Sequence, residues 1–297
     1  MAGLRAVGTT LPIFGALFAL VPASLSSAQP APELIAVTPA VGLTAAPEPV
    51  ASPSRSVGSP DRGRVRDAVE LTSTAHLIVR EGPRAARFGT AELVGLLHRA
   101  AARVATEHPG PRLLAGDLSA ENGGRLRPHR SHRNGRDADV SFYLVDEAGQ
   151  PIEAPRYVNL RRNGCGRIGE QRYCFDATRN WALAVALLAD PVARVQYLLV
   201  TSYLRNRLLA EGERQGAPAE LLERVRLATA NHAGSRSHRS HFHVRIYCAL
   251  DDRPECVDEP PYHAWYEGTP SPGAAAAVQR RARTNRAIRR RAARRAR

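Results

Sequence analysis

Apolar positions from Thr90 to Thr106 recur with helical spacing at Leu93, Leu96, Leu97, Ala100, Ala101 and Val104. That rhythm predicts an amphipathic helix, closed by Pro109-Gly110-Pro111. A second helix is expected over Thr178–Ala189, with Trp181, Ala184, Val185 and Leu188 on one face, and further helical stretches near Leu204–Glu213 and Ala219–Ala228. Between them the rhythm changes to strands. Leu113–Leu118, Ala138–Val145 and His241–Cys248 read as strands, and Val195–Val200 is a near-continuous apolar run expected to be buried on both faces. Helices grouped around a few strands predict an α+β domain over residues 66–268.

Outside that domain the pattern dissolves. Arg5, the apolar run Leu11–Val21 and the small residues Ser26-Ser27-Ala28 read as an export signal over 1–28. The run is shorter than the ~20 apolar residues of a membrane span. Residues 29–65 are Pro-, Ala- and Ser-rich and are expected to form a linker. The 42 basic residues, all arginine, exceed 28 acidic ones, and ten of the arginines fall in 280–297. The segment 269–297 therefore reads as a disordered tail, either simply solvated or a binder of an anionic envelope polymer or lipid. No aromatic residues interleave with its arginines to stack on bases, and an exported chain argues against nucleic acid. Four cysteines fall into two close pairs, so proximity favours Cys165–Cys174 and Cys248–Cys256 as disulfides of an exported chain, periplasmic or secreted.

The chemistry concentrates in two clusters that hold five of the ten histidines, His129-Arg-Ser-His132 with Asp137 and Asp139, and His238-Arg-Ser-His241-Phe-His243. Each runs into a strand. Alternation turns Phe242, Val244 and Ile246 to the core and leaves His241, His243 and Arg245 on the opposite face. Val140 and Phe142 face inward in the earlier strand, which leaves Asp137, Asp139 and Ser141 outward. If the strands are neighbours, Asp139 and His243 converge, and His132 arrives from the loop before Gly135. Two imidazoles and a carboxylate leave a fourth tetrahedral position open, as catalytic Zn2+ requires. Such an ion lowers the pKa of its water to ~7 and polarises an amide carbonyl. His241 is placed to act as base or to hydrogen-bond the developing oxyanion. His238 lies in a loop that periodicity cannot position, leaving an exposed histidine as the alternative. Asp137 either orients a metal-bound histidine or is an exposed carboxylate, and Asp117 and Ser119 read as turn formers.

At these residues the chain resembles the metallopeptidases grouped with lysostaphin, D-alanyl-D-alanine peptidases and the hedgehog domain. Gly116-Asp-Leu-Ser119, His129-x-x-His132, Gly135-x-Asp137-x-Asp139 and His238-x-x-His241-Phe-His243-Val-Arg245 look like the penicillin-insensitive murein endopeptidases within that group. The resemblance covers residues 66–257. It implies a small antiparallel sheet with helices on one side, and a zinc endopeptidase cutting D-alanyl to meso-diaminopimelyl cross-links of peptidoglycan in the periplasm. It implies His132, Asp139 and His243 as ligands, His241 as the catalytic histidine assisted by His238, and His129 as an outer or alternative ligand. The competing readings are a D-alanyl carboxypeptidase on the same site and a non-catalytic cell-wall-binding module.

Overall fold

In this computed structural model, residues 54–82, 86–230 and 238–268 are described. The expected export signal and the Arg-rich tail lie outside them. The labels β1 to β5 are kept for the central sheet: β1 Leu77–Val79, β2 Leu113–Gly116, β3 Asp137–Ser141, β4 Val195–Leu199 and β5 His241–Ile246. Their spatial order is β4-β5-β3-β2-β1. The class is α+β, as the patterning predicts. The sheet is not wholly antiparallel, because β1 runs parallel to β2 across the helical crossover α1, Ala91–Glu107.

Thr90 caps α1 by accepting from the Leu93 N–H, and its apolar stripe from Leu93 to Val104 is buried. Asp176 does the same for α2, Ala177–Leu188, through the Arg179 N–H. Helices α3 and α4, Ser202–Arg214 and Ala219–Ala228, follow. Phe242, Val244, Ile246, Ala138 and Val140 join the helical stripes in a single apolar core. Phe142 bridges the sheets, edge-on to Phe242 at 4.8 Å and to Phe175 at 5.3 Å between ring centres. One face of the sheet is thereby spent on packing, and the other is left for polar chemistry.

Two expectations change, and a third holds by another route. The run Val195–Leu199 is largely buried, as expected, although it is an edge strand; part of its cover comes from the chain at 259–265 lying along its open side. There the Trp265 Nε1–H donates to Val195 O at 2.7 Å, and Gln196 is only 1% exposed. The long strand expected over 138–145 breaks after Ser141, and Leu144–Val145 belongs to a second, four-stranded sheet with Cys165–Ile168, Gln171–Phe175 and Pro151–Ile152. Strands Arg55–Val57 and Arg64–Arg66 pair with each other at the end of the stretch read as linker, the second reaching one residue past it. Their alternation is too short to stand out, and the Ser56 N–H is instead fixed by Asp252 Oδ2 at 2.8 Å.

Both disulfides form as proximity suggests. Cys165–Cys174 ties directly opposed residues of a hairpin, and Cys248–Cys256 closes the turn after β5. Among the described residues, no helix is long and apolar enough to cross a membrane.

Candidate metal centre

The site grows out of one ladder. Strand β5 pairs antiparallel with β3 so that His241 opposes Ser141, His243 opposes Asp139 and Arg245 opposes Asp137. Opposed residues project from the same face with Cβ atoms about 4.5–5.5 Å apart. The register therefore brings together two motifs a hundred residues apart.

His132 joins from the loop before β3. It adopts φ +66°, a conformation uncommon for residues other than glycine, and its N–H donates to Asp137 Oδ2 at 3.2 Å. Its Nδ1 lies 2.8 Å from Leu118 O, so Nδ1 carries the proton and Nε2 is turned to the cluster. Gly135 makes the loop's re-entry possible. It has φ +77°, and a Cβ there would lie 2.9 Å from Val65 Cγ2.

Three donor atoms then form a triangle. His132 Nε2 is 3.2 Å from His243 Nδ1 and 3.4 Å from Asp139 Oδ1, and the last two are 3.1 Å apart. Donors about 2.05 Å from a tetrahedral zinc ion sit about 3.3–3.4 Å from one another. The edges match within a few tenths of an ångström, and the donor set of two imidazoles and one carboxylate suits such an ion. His129, His132 and Asp139 also form a group able to hold a metal, with ligand atoms within 4.8 Å of one another. His132 and Asp139 are common to both sets.

Around the triangle stand groups that fix its members. Asp137, 0% exposed, accepts from His243 Nε2 at 2.9 Å and from Arg245 Nε at 2.6 Å, which excludes the exposed-carboxylate alternative. His241 Nε2 is 3.4 Å from Asp139 Oδ1, and Ser240 Oγ is 2.9 Å from its Nδ1. The His238 ring is 5.5 Å from that of His241 and 5.4 Å from that of His243, so the loop histidine does enter the cluster. His129 Nδ1 lies 3.7 Å from Asp139 Oδ2, and its Nε2 lies 3.4 Å from Asp117 Oδ2.

Charge follows geometry. Burial pushes Asp139 up, but His241, His132 and His243 outweigh it and hold the carboxyl well below its ordinary range. Burial also opposes the charge of His243, yet Asp137 and Asp139 raise it to about 9. Burial instead dominates at His241, which is lowered, and at His238, lowered to about 4. Two imidazoles beside the donor triangle are thus neutral at pH 7.

Four participants were missed or undervalued by pattern. Asp117 is no mere turn former: its carboxylate holds His129 and pairs with Arg80. The Tyr157 hydroxyl donates to Asp139 O at 2.8 Å, and its ring is 5.1 Å from His241. Neither Arg80 nor Tyr157 sits in a motif or a periodic segment. Arg245 alone had a legible signal, its place two residues after His243 on the same face. Ser119 does act structurally, its Oγ accepting from the Gly135 N–H at 2.9 Å.

Residues 56–290 match the family described as "Penicillin-insensitive murein endopeptidase". A Yersinia pestis protein of that name is 27% identical over 248 residues, covering 81% of this chain and 78% of its own. One from Pectobacterium atrosepticum is 28% identical over 220 residues, 72% of each chain. Another, from Escherichia coli O157:H7, is 26% identical over 274 residues, 87% of this chain and 89% of its own.

Proposed function

Because the chain belongs to the penicillin-insensitive murein endopeptidase family, we propose that it is an exported zinc endopeptidase hydrolysing peptide cross-links of peptidoglycan, at the amide between D-alanine and meso-diaminopimelate. The observation that carries this reading is the triangle of His132 Nε2, His243 Nδ1 and Asp139 Oδ1, with edges of 3.1–3.4 Å. These three would hold the ion. When bound, zinc supplies polarisation of the scissile carbonyl and water activation near neutral pH.

The chain's own groups do the rest. Asp137 fixes the ring of His243 through Nε2, which leaves Nδ1 as the donor. His241 Nε2, on the same strand face, accepts the proton of the attacking water and returns it to the leaving amine. Ser240 Oγ at its Nδ1 holds that ring in register. His238 faces both rings and assists at the developing oxyanion. His129, held by Asp117, stands outside the triangle as a partner of Asp139. Two disulfides suit the oxidising periplasm.

The test is digestion of purified cross-linked peptidoglycan, with and without a chelator, followed by mass spectrometry of the fragments. Chelator-sensitive conversion of dimeric to monomeric muropeptides is expected. Release of single terminal alanines would move the assignment to a carboxypeptidase. No cleavage by metal-replete folded protein would sink the hydrolase reading.

A further inference from the structure

The hydroxyl of Tyr157 sits where the ladder between β2 and β3 runs out. Gly116 and Asp139 are the final pair of that ladder. The Tyr157 O–H donates to Asp139 O at 2.8 Å, with Gly116 O 3.3 Å away. A phenol has one proton to give, and here it goes to the backbone of the residue whose carboxylate belongs to the donor triangle. The loop behind Tyr157 is tied down as well. The Leu160 N–H donates to Arg239 O at 2.9 Å, Arg239 Nε donates to Asn159 Oδ1 at 3.2 Å, and the Tyr203 hydroxyl of α3 donates to Leu160 O at 2.5 Å. Arg239 stands two residues before His241, so this loop and the start of β5 are held as one unit.

From that anchor the Tyr157 ring reaches His241. Their centres are 5.1 Å apart and their planes are inclined at 37°, within the range of packed aromatic pairs. The Arg80 guanidinium lies 5.4 Å from the centre of the Tyr157 ring. Gly116 gives Arg80 its room, since a Cβ there would fall 2.7 Å from Arg80 Cβ. The nitrogens of His241 have their own partners: Ser240 Oγ is 2.9 Å from Nδ1, and Asp139 Oδ1 is 3.4 Å from Nε2. Both contacts act at the edge of the imidazole and leave its face to be held by packing. A group that moves protons works only in a narrow range of orientations, and packing that locks its rotamer keeps it there.

We propose that Tyr157 is the positioning residue of His241: anchored by its hydroxyl on Asp139 O, its ring holds the imidazole toward the Asp139 carboxylate and the donor triangle. The inference rests on the role given to His241 in the proposed hydrolysis. Tyr157 itself exchanges no proton. It sets kcat by keeping His241 in line and leaves substrate binding to other groups.

The test is a double-substitution cycle on the metal-replete full chain, with Y157L, Y157F and H241A singly and combined, read as kcat and KM on a purified cross-linked muropeptide dimer. Y157L should lower kcat about tenfold, inside the ~10²-fold that a misplacement of about 1 Å can cost, with KM within twofold and zinc content unchanged. Y157F keeps the ring and should bring kcat back to within threefold of the unaltered protein. On the H241A background neither substitution should lower kcat further, because residues that act as a unit are not additive. An equal loss on both backgrounds overturns the proposal and makes Tyr157 a purely structural residue. Loss of zinc from Y157L overturns it too, by moving the effect to Asp139, as does Y157F as slow as Y157L, which would give the hydroxyl a chemical role. Y157L within twofold of the unaltered kcat also overturns it. Should Y157L not fold, Y157M takes its place in the cycle with the same expected outcomes. If the unaltered protein does not cleave the dimer, the hydrolase reading fails, and the positioning is judged by NMR relaxation of the His241 ring C–H groups in the zinc-loaded chain. Added motion in the Tyr157 variant with His243 unchanged supports it, and equal rigidity overturns it.

Discussion

Asp137→Asn isolates the group that orients the metal-binding face. The carboxylate is fully buried and serves three donors: His243 Nε2 at 2.9 Å, Arg245 Nε at 2.6 Å and the His132 N–H at 3.2 Å. Asparagine keeps the shape and one acceptor but removes the charge. Losing the carboxylate behind a ligating histidine typically weakens metal binding by about 10–100-fold, which corresponds to about 1.4–2.7 kcal/mol. Arg245 loses its buried counter-charge at the same time. Removing one partner of a buried pair outright costs about 3–5 kcal/mol, and the remaining amide oxygen places the asparagine variant at or below the lower end. Zinc affinity by competition with a chromophoric chelator reads the first effect, and urea unfolding of the metal-free protein reads the second. Affinity within threefold of the unaltered protein would refute the orienting role. A loss of stability alone would reduce Asp137 to a counter-ion for Arg245.

His241→Ala should lower kcat/KM by about 10²–10⁴ while zinc remains bound; metal analysis beside kinetics checks this, and loss of the ion would mean that His241 is a ligand. Asp258→Ala strands Arg136, 1% exposed and bonded to Asp258 Oδ1 at 2.6 Å, and should cost about 3–5 kcal/mol in urea unfolding. Asp252 is pushed up to about 6 by burial, so the folded state prefers it protonated and stability declines as pH rises from its ordinary value of 3.8 through 6. Asp252→Asn should therefore melt above the unaltered protein beyond pH 6 and converge with it below pH 4; a gap independent of pH would contradict the assignment.

The strand half of the metal centre was legible because Asp139, His241 and His243 lie on regular elements, while His132 and His238 come from loops and were marked only by their motifs. Alternation alone sorted His241, His243 and Arg245 from Phe242 and Val244, and the observed register set them opposite Ser141, Asp139 and Asp137. The four helices were legible for the same reason, each carrying enough turns for its apolar stripe to repeat. Tyr157 and Arg80 were not, because loop geometry and a three-residue strand decide where they point, and neither leaves a periodic trace. The edge position of Val195–Leu199 was hidden as well. A strand covered by a distant segment has the same apolar composition as one flanked by strands. Likewise, nothing local distinguished Arg55–Val57 from the linker before it, since its partners lie up to two hundred residues away.

The segment over 259–265 acts as a cap on an otherwise open sheet edge. It comes last in the described chain, yet its side chains occupy the free edge of the sheet: Trp265 reaches Val195 O at 2.7 Å, His263 Nε2 lies 3.0 Å from Gln196 O, and the Tyr197 hydroxyl donates to Pro260 O at 3.1 Å. Without it, Val195–Leu199 presents bare backbone donors and acceptors that can template another chain. A chain cut short before residue 259 would keep that edge bare and open to self-association.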